Sequence, residues 1–139
     1  MAKPVIKGDT IKVPSSPEFL PDVDVFLEGT LRGFGINESA VADIAISVSE
    51  LVNNAMIHGN KSSLDKMVTV KIIRSREAVT IVVSDEGSGF DPGNVPDPIA
   101  DENLLHEVGR GLFIVRSLMD KVDVKAASTG TTIAVTKAV

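Results

Sequence analysis

The sequence predicts an α+β protein, a two-layer α/β sandwich in which a mixed, mainly antiparallel sheet carries its helices on one face. Three observations lead there. Residues 17–58 hold two successive helical periodicities, residues 67–84 hold two strand-like runs joined by three residues, and residues 122–136 hold two more strand-like runs behind a further short helix. Helices grouped beside hairpin-linked strands favour two layers over a doubly wound sheet.

Taken in order, Val5 to Val13 alternates imperfectly and is expected as an edge strand or two short pieces. Ser15-Ser16-Pro17-Glu18 sets a capping residue before proline at a first helical position, and Phe19, Leu20, Val23, Phe26, Leu27 and Leu31 then recur at helical spacing. That helix should stop near Gly33 to Gly35. Asn37 is an N-cap for a second helix running to about His58, with Gly59 as its stop. Met67 to Arg74 and Ala78 to Ser84 read as strands, linked through Ser75-Arg76-Glu77 as a hairpin. Residues 90–108 carry Pro92, Pro96 and Pro98 among five acidic residues, and a connection of that length is expected to be a lid or binding segment. Gly111 to Met119 then reads as a helix, and Val122 to Ala126 and Thr132 to Thr136 as strands.

Composition narrows the function classes. The 139 residues fit one domain, 1–139, which would bury about two-thirds of its unfolded surface. There is no cysteine and there are only two histidines, so disulfides and thiolate metal sites are excluded and a zinc site is disfavoured. The first residues lack an apolar signal region, and no run approaches the apolar length of a membrane span, so a cytoplasmic protein without membrane attachment is expected. A net charge of −5, with no clustered basic surface and neither Trp nor Tyr, argues against direct nucleic-acid binding.

The most informative stretch is the second helix. Glu50 and Asn54 stand one turn apart, so both side chains point the same way, opposite a stripe of Val41, Ile44, Ala45, Val48, Val52 and Ala55. Alone, such a pair reads as a solvated face. Ile46 and Ile57 share that face, however, which is unusual for a surface meant only for water. Asp85-Glu86-Gly87-Ser88-Gly89 follows a strand of buried character. It is either an ordinary acidic turn or a carboxylate that accepts from a ligand amino group while glycines let the backbone approach. Gly109-Arg110-Gly111 precedes an apolar helix, whose unpaired N–H groups suit a phosphate, a weak signal by itself. Gly59-Asn60-Lys61-Ser62 lacks the upstream glycine of a phosphate-binding P-loop, and no dinucleotide fingerprint is present. His58 reads as a helix-end residue, and His106 has no recognisable partner.

The order of these features carries more than any one of them. Glu50-x-x-x-Asn54, Asp85-x-Gly87-x-Gly89, a long loop, Gly109-x-Gly111 before a helix, and Gly130-Thr131-Thr132 resemble the successive boxes of the GHKL (Bergerat-fold) ATPase superfamily across nearly the whole chain. The runs from Glu50 to Gly59 and from Gly109 to Asp120 resemble the bacterial anti-sigma factor serine/threonine-protein kinases of partner-switching systems. The resemblance implies ATP and Mg²⁺ as cofactors. Asn54 would ligate the metal, Glu50 would act on the attacking hydroxyl, Asp85 and Thr131 would meet adenine, and Gly87 and Gly89 would pass the base and sugar. Gly109, Arg110, Gly111 and Leu112 would face the phosphates, beneath a lid at about 90–108. It also implies a small anti-anti-sigma substrate of STAS type, a sequestered sigma factor and a homodimer. The alternatives are a nucleotide-responsive binding module without kinase activity, a switch kinase with a non-sigma client, and a detached histidine-kinase ATP-binding domain. A pure binder would have no use for Glu50, and no helical hairpin with a phosphorylatable histidine is present.

Overall fold

A computed structural model describes residues 3–87 and 112–139. The expected first strand is two, β1 (Val5–Lys7) and β2 (Thr10–Pro14). They pair antiparallel with Ile6 opposite Ile11, and the two-residue link succeeds because Gly8 supplies a φ of 57°. After a 3-10 turn, Pro17–Phe19, α1 runs Leu20–Gly33, and Pro21 sits where the helix has no intrahelical donor to lose. α2 (Glu38–Asn54) is capped by the Asn37 side chain, which accepts from Ala40 N at 2.8 Å. Arg32 donates to Glu38 at 2.9 Å, joining the end of α1 to the start of α2. That hydrogen bond, then the opposite charge, raises the guanidinium pKa and lowers that of the carboxyl.

α2 departs from the expected boundary. The α-helix ends at Asn54 and continues as a π turn, Ala55–Gly59, closed by Asn60 N donating to Ala55 O at 2.8 Å. Such widened turns are rare and recur at functional sites. Here Asn60 is gripped by β2, β3 and the segment after β4, so the last turn opens to meet it.

β3 (Met67–Arg74), β4 (Ala78–Ser84), a helix α3 at residues 112–118, β5 (Lys121–Ala127) and β6 (Gly130–Ala138) complete the described elements. The sheet order is β1-β2-β3-β4-β6-β5. Where a mixed, mainly antiparallel sheet was expected, every described ladder is antiparallel. β5 does run in the same direction as β4, but β6 slots between them and removes the parallel pairing. Val68, Val70 and Ile72 of β3 and Val79, Ile81 and Val83 of β4 are buried, with the period of two that a sheet covered on one face requires. They face Val23, Leu27 and Leu31 of α1 and Val41, Ile44, Val48 and Val52 of α2 in one core.

The span Glu38–Gly59 is long and apolar enough, by length and composition alone, to cross a membrane, so the sequence expectation that no stretch reaches that length is corrected. Half of that window is buried within the fold, which makes it the core helix of the sandwich. α3 buries Val115 and is anchored by Lys137 of β6, whose Nζ donates to Leu118 O at 2.6 Å and pairs with Asp43 of α2 at 3.1 Å.

Candidate functional site

The far face of α2 carries Glu50 and Asn54 away from the core, both half-buried. Ile46 and Ile57 flank them at 50% and 41% exposure, so this face is an apolar-edged surface with two polar side chains at its centre. Ser47, by contrast, is fully buried, and its hydroxyl donates to Asp43 O at 2.9 Å. Asn54 has a distinctive defect, because its Nδ2 is buried and has no hydrogen-bond partner among the described residues. An unsatisfied buried amide costs about 1–3 kcal/mol, and positions that tolerate such a cost tend to be ones where a ligand supplies the missing contact.

The π turn leads directly from Asn54 to the second half of the site. Asp85, just past β4, has Oδ1 accepting from Gly87 N and from Thr131 N, each at 3.0 Å, while Asp85 N donates to Thr131 O at 3.0 Å. Two fixed donors on one oxygen orient the carboxylate and leave Oδ2 facing Gly59, where a Cβ would collide with it. Gly87 sits as tightly, since a Cβ there would strike the Gly59 carbonyl. Gly130, at φ 144°, lies so close to Asp85 O that no side chain fits. Three glycines from three elements therefore converge on one carboxylate.

Asn54 lies one π turn before Gly59, and Glu50 lies one α-helical turn before Asn54, about 6 Å further along the axis. The site is thus ordered along one helix: an oriented carboxylate beside Gly59, an unsatisfied amide one turn back, and a second carboxylate one turn further. Such a row suits an elongated ligand whose head donates a hydrogen bond to Asp85 and whose next part offers an acceptor to Asn54 Nδ2. Among the described residues no group of three or more His, Cys, Asp or Glu could hold a metal. A divalent cation held here would rely on an amide oxygen together with ligand and water oxygens, the usual habit of Mg²⁺; Asn54 would offer its Oδ1 for that, while its orphaned Nδ2, a donor, would meet a ligand oxygen and not the cation.

Compared with known proteins, residues 13–137 match the model of the histidine kinase-like ATPase domain. The chain belongs to that family. Relatives include the serine-protein kinase RsbW of Bacillus pumilus (strain SAFR-032), 31% identical over 135 residues, covering 91% of this chain and 83% of that one. The RsbW of Staphylococcus aureus (strain JH9) is 34% identical over 134 residues, covering 91% and 84%. Among solved structures, the RsbU and RsbW domains of a Mycobacterium tuberculosis protein superpose with a TM-score of 0.69 at 21% identity, covering 98% of this chain and 32% of that one. The catalytic domain of histidine kinase ThkA gives 0.54 at 16% identity, covering 94% and 97%. These structures bear out the α+β sandwich, and the family match bears out the resemblance to GHKL ATPases and places the chain among ATP-binding domains.

Of the expected site residues, the structure brings Asp85, Gly87 and Thr131 together and sets Glu50 and Asn54 on the helix that ends beside them. Leu112 opens the described part of α3, partly buried against the core. Gly89, Gly109, Arg110, Gly111, His106 and the lid at 90–108 lie outside the described residues. Gly59 was read as a helix stop and Asn60 as part of a failed P-loop match, yet both line or support the Asp85 end. Gly59 offered the signal of any helix-ending glycine, and Asn60 offered none.

Proposed function

We propose that this protein is an ATP-dependent protein serine/threonine kinase of a partner-switching system. It would phosphorylate a small anti-anti-sigma partner of STAS type and, in its other state, sequester a sigma factor, acting as a cytoplasmic homodimer built from one domain. The observation that carries this reading is Glu50 one turn before the orphaned amide of Asn54, on a helix that ends against the Asp85 pocket. The names of the RsbW relatives, serine-protein kinases aligned over 91% of this chain, support it.

Each residue has a physical task. Asp85 Oδ2 accepts from the adenine amino group, and Thr131, whose backbone holds Oδ1, supports the same end. Gly59, Gly87 and Gly130 let the chain close tightly around Asp85, and Gly89 is assigned to base and sugar by the family resemblance. The Asn54 amide oxygen holds Mg²⁺, which when bound offsets phosphate charge. Glu50 orients the partner hydroxyl and takes its proton as the oxygen bonds to the γ-phosphorus and ADP departs. The backbone at Gly109, Arg110, Gly111 and Leu112 meets the phosphates at a helix start.

The test is transfer of radiolabelled phosphate from ATP, with Mg²⁺, to proteins captured by this chain from its source cell. Label on Ser or Thr of a captured partner, with a sigma factor in the same capture, is the expected result. Label on a histidine of the chain itself, or nucleotide-dependent capture without any transfer, would replace the reading by a histidine-kinase domain or a binding module.

A further inference from the structure

Beneath the Asp85 pocket lies a buried polar knot. Asn60 and Ser15 are each 1% exposed, and together with Ser47 they are the buried polar residues among those described. Asn60 Oδ1 accepts from Glu86 N at 2.7 Å, and its Nδ2 donates to Ser15 Oγ at 2.9 Å and to Met67 O at 3.1 Å. Ser15 Oγ donates onward to Lys66 O at 2.6 Å, and Glu86 Oε2 accepts from Met67 N at 2.6 Å. One carboxamide therefore uses both of its N–H groups and its oxygen to join the residue after β2, the start of β3 and the residue after Asp85. Its own backbone N closes the π turn of α2.

We infer that Asn60 is a positioning residue for nucleobase recognition, acting through Glu86 N and touching no ligand. The inference rests on the nucleotide-pocket reading above. Glu86 lies between Asp85, whose Oδ2 faces Gly59, and Gly87, which packs on the Gly59 carbonyl. Asn60 directly follows Gly59, so one peptide unit sets both the wall facing Asp85 Oδ2 and the anchor under the Asp85 loop. A structural glue would need any satisfied polar group at this place. A device for spacing Asp85 from Gly59 needs an acceptor aimed at Glu86 N, which is where Oδ1 points. Without it, Asp85 would stay tied to Thr131 and Gly87 but the loop would drift relative to Gly59. The fold would survive while the register between carboxylate and base is lost, and sub-ångström register is what hydrogen-bond discrimination depends on.

The experiment measures ADP and GDP affinities by calorimetry for the full chain. Guanine presents a carbonyl where adenine presents its amino group, so the ratio of the two reports the Asp85 contact. Asn60→Ala is expected to lower the ADP:GDP preference by about tenfold or more. Asn60→Asp, which keeps an oxygen for Glu86 N, is expected to recover most of that preference despite a lower melting temperature. Val79→Ala, a core truncation at the end of β4 away from Asp85, is expected to lower the melting temperature and keep the wild-type preference. Should Asn60→Ala fail to fold, Asn60→Ser, too short to reach Glu86 N, carries the same expectation. Asn60 variants that melt lower yet keep the wild-type preference overturn the inference. If Asp85→Asn erases the preference while the Asn60 variants keep it, only this inference falls. If Asp85→Asn leaves the preference unchanged, the nucleotide-pocket reading falls and takes the inference with it.

Discussion

Replacing Gly59 by alanine isolates the closest packing in the site. Gly59 is not among the residues with positive φ, so alanine meets no backbone strain and by itself would gain about 0.5–1 kcal/mol from a stiffer unfolded chain. Against that, the added Cβ would lie 3.0 Å from Asp85 Cβ and closer still to Cγ and Oδ2. The Gly59 carbonyl has no room to retreat, because Gly87 is packed on it. Overpacking of this kind costs about 1–3 kcal/mol. Relief by swinging Asp85 aside would strain its two charge-assisted hydrogen bonds, each worth about 1.5–3 kcal/mol. The net expectation is a destabilisation of about 2 kcal/mol, or roughly 6–8 °C in Tm for a chain of this size. ADP affinity should fall by at least about tenfold, since Oδ2 is the atom obstructed. Gly29→Ala, on α1 with nothing within 4 Å of its Cβ, is the control and should raise stability by about 0.5–1 kcal/mol. Thermal unfolding and calorimetry on both variants check this. A Gly59→Ala protein with unchanged Tm and unchanged ADP affinity would refute the assignment of Gly59 and Asp85 to one tight pocket.

Asn54→Ala should leave the ligand-free protein as stable as wild type or slightly more so, because it removes a buried unsatisfied Nδ2, while the thermal stabilisation by ADP with Mg²⁺ shrinks. Melting curves with and without ligand check both halves. Gly130→Ala should unfold earlier by about 1–3 kcal/mol from its φ of 144° and its contact with Asp85 O, read by denaturant titration. Lys137→Met removes the link between α3, β6 and Asp43. Since the pair is 20% and 31% exposed, the loss should be about 1–2 kcal/mol, with faster amide exchange in residues 112–118.

Much of the fold was legible because its signals are local. The Asn37 cap, the stripe of α2, the alternation of β3 and β4 and the link at 75–77 each come from short-range chemistry, and each appears within a residue or two of its expected place. The π turn was not legible, because what opens it is Asn60 reaching Ser15 and Glu86, 45 and 26 residues away. The all-antiparallel sheet depended on β6 inserting beside β4, a choice that strand patterns alone do not encode. In the site, Glu50, Asn54 and Asp85 stood out through their order and spacing along the chain, since each alone read as a solvated face or an acidic turn. Gly59 looked like punctuation and Gly130 entered only as the start of the last box, and only the position of Asp85 shows why neither tolerates a Cβ.

The central claim is that Glu50 acts on a hydroxyl in phosphoryl transfer while the remainder of the face binds nucleotide. The most direct measurement is single-turnover transfer to the captured partner by Glu50→Gln, alongside its ADP affinity. Loss of a general base should slow transfer by about 10²–10⁴-fold with ADP affinity within about twofold of wild type. Transfer at the wild-type rate by Glu50→Gln would contradict it.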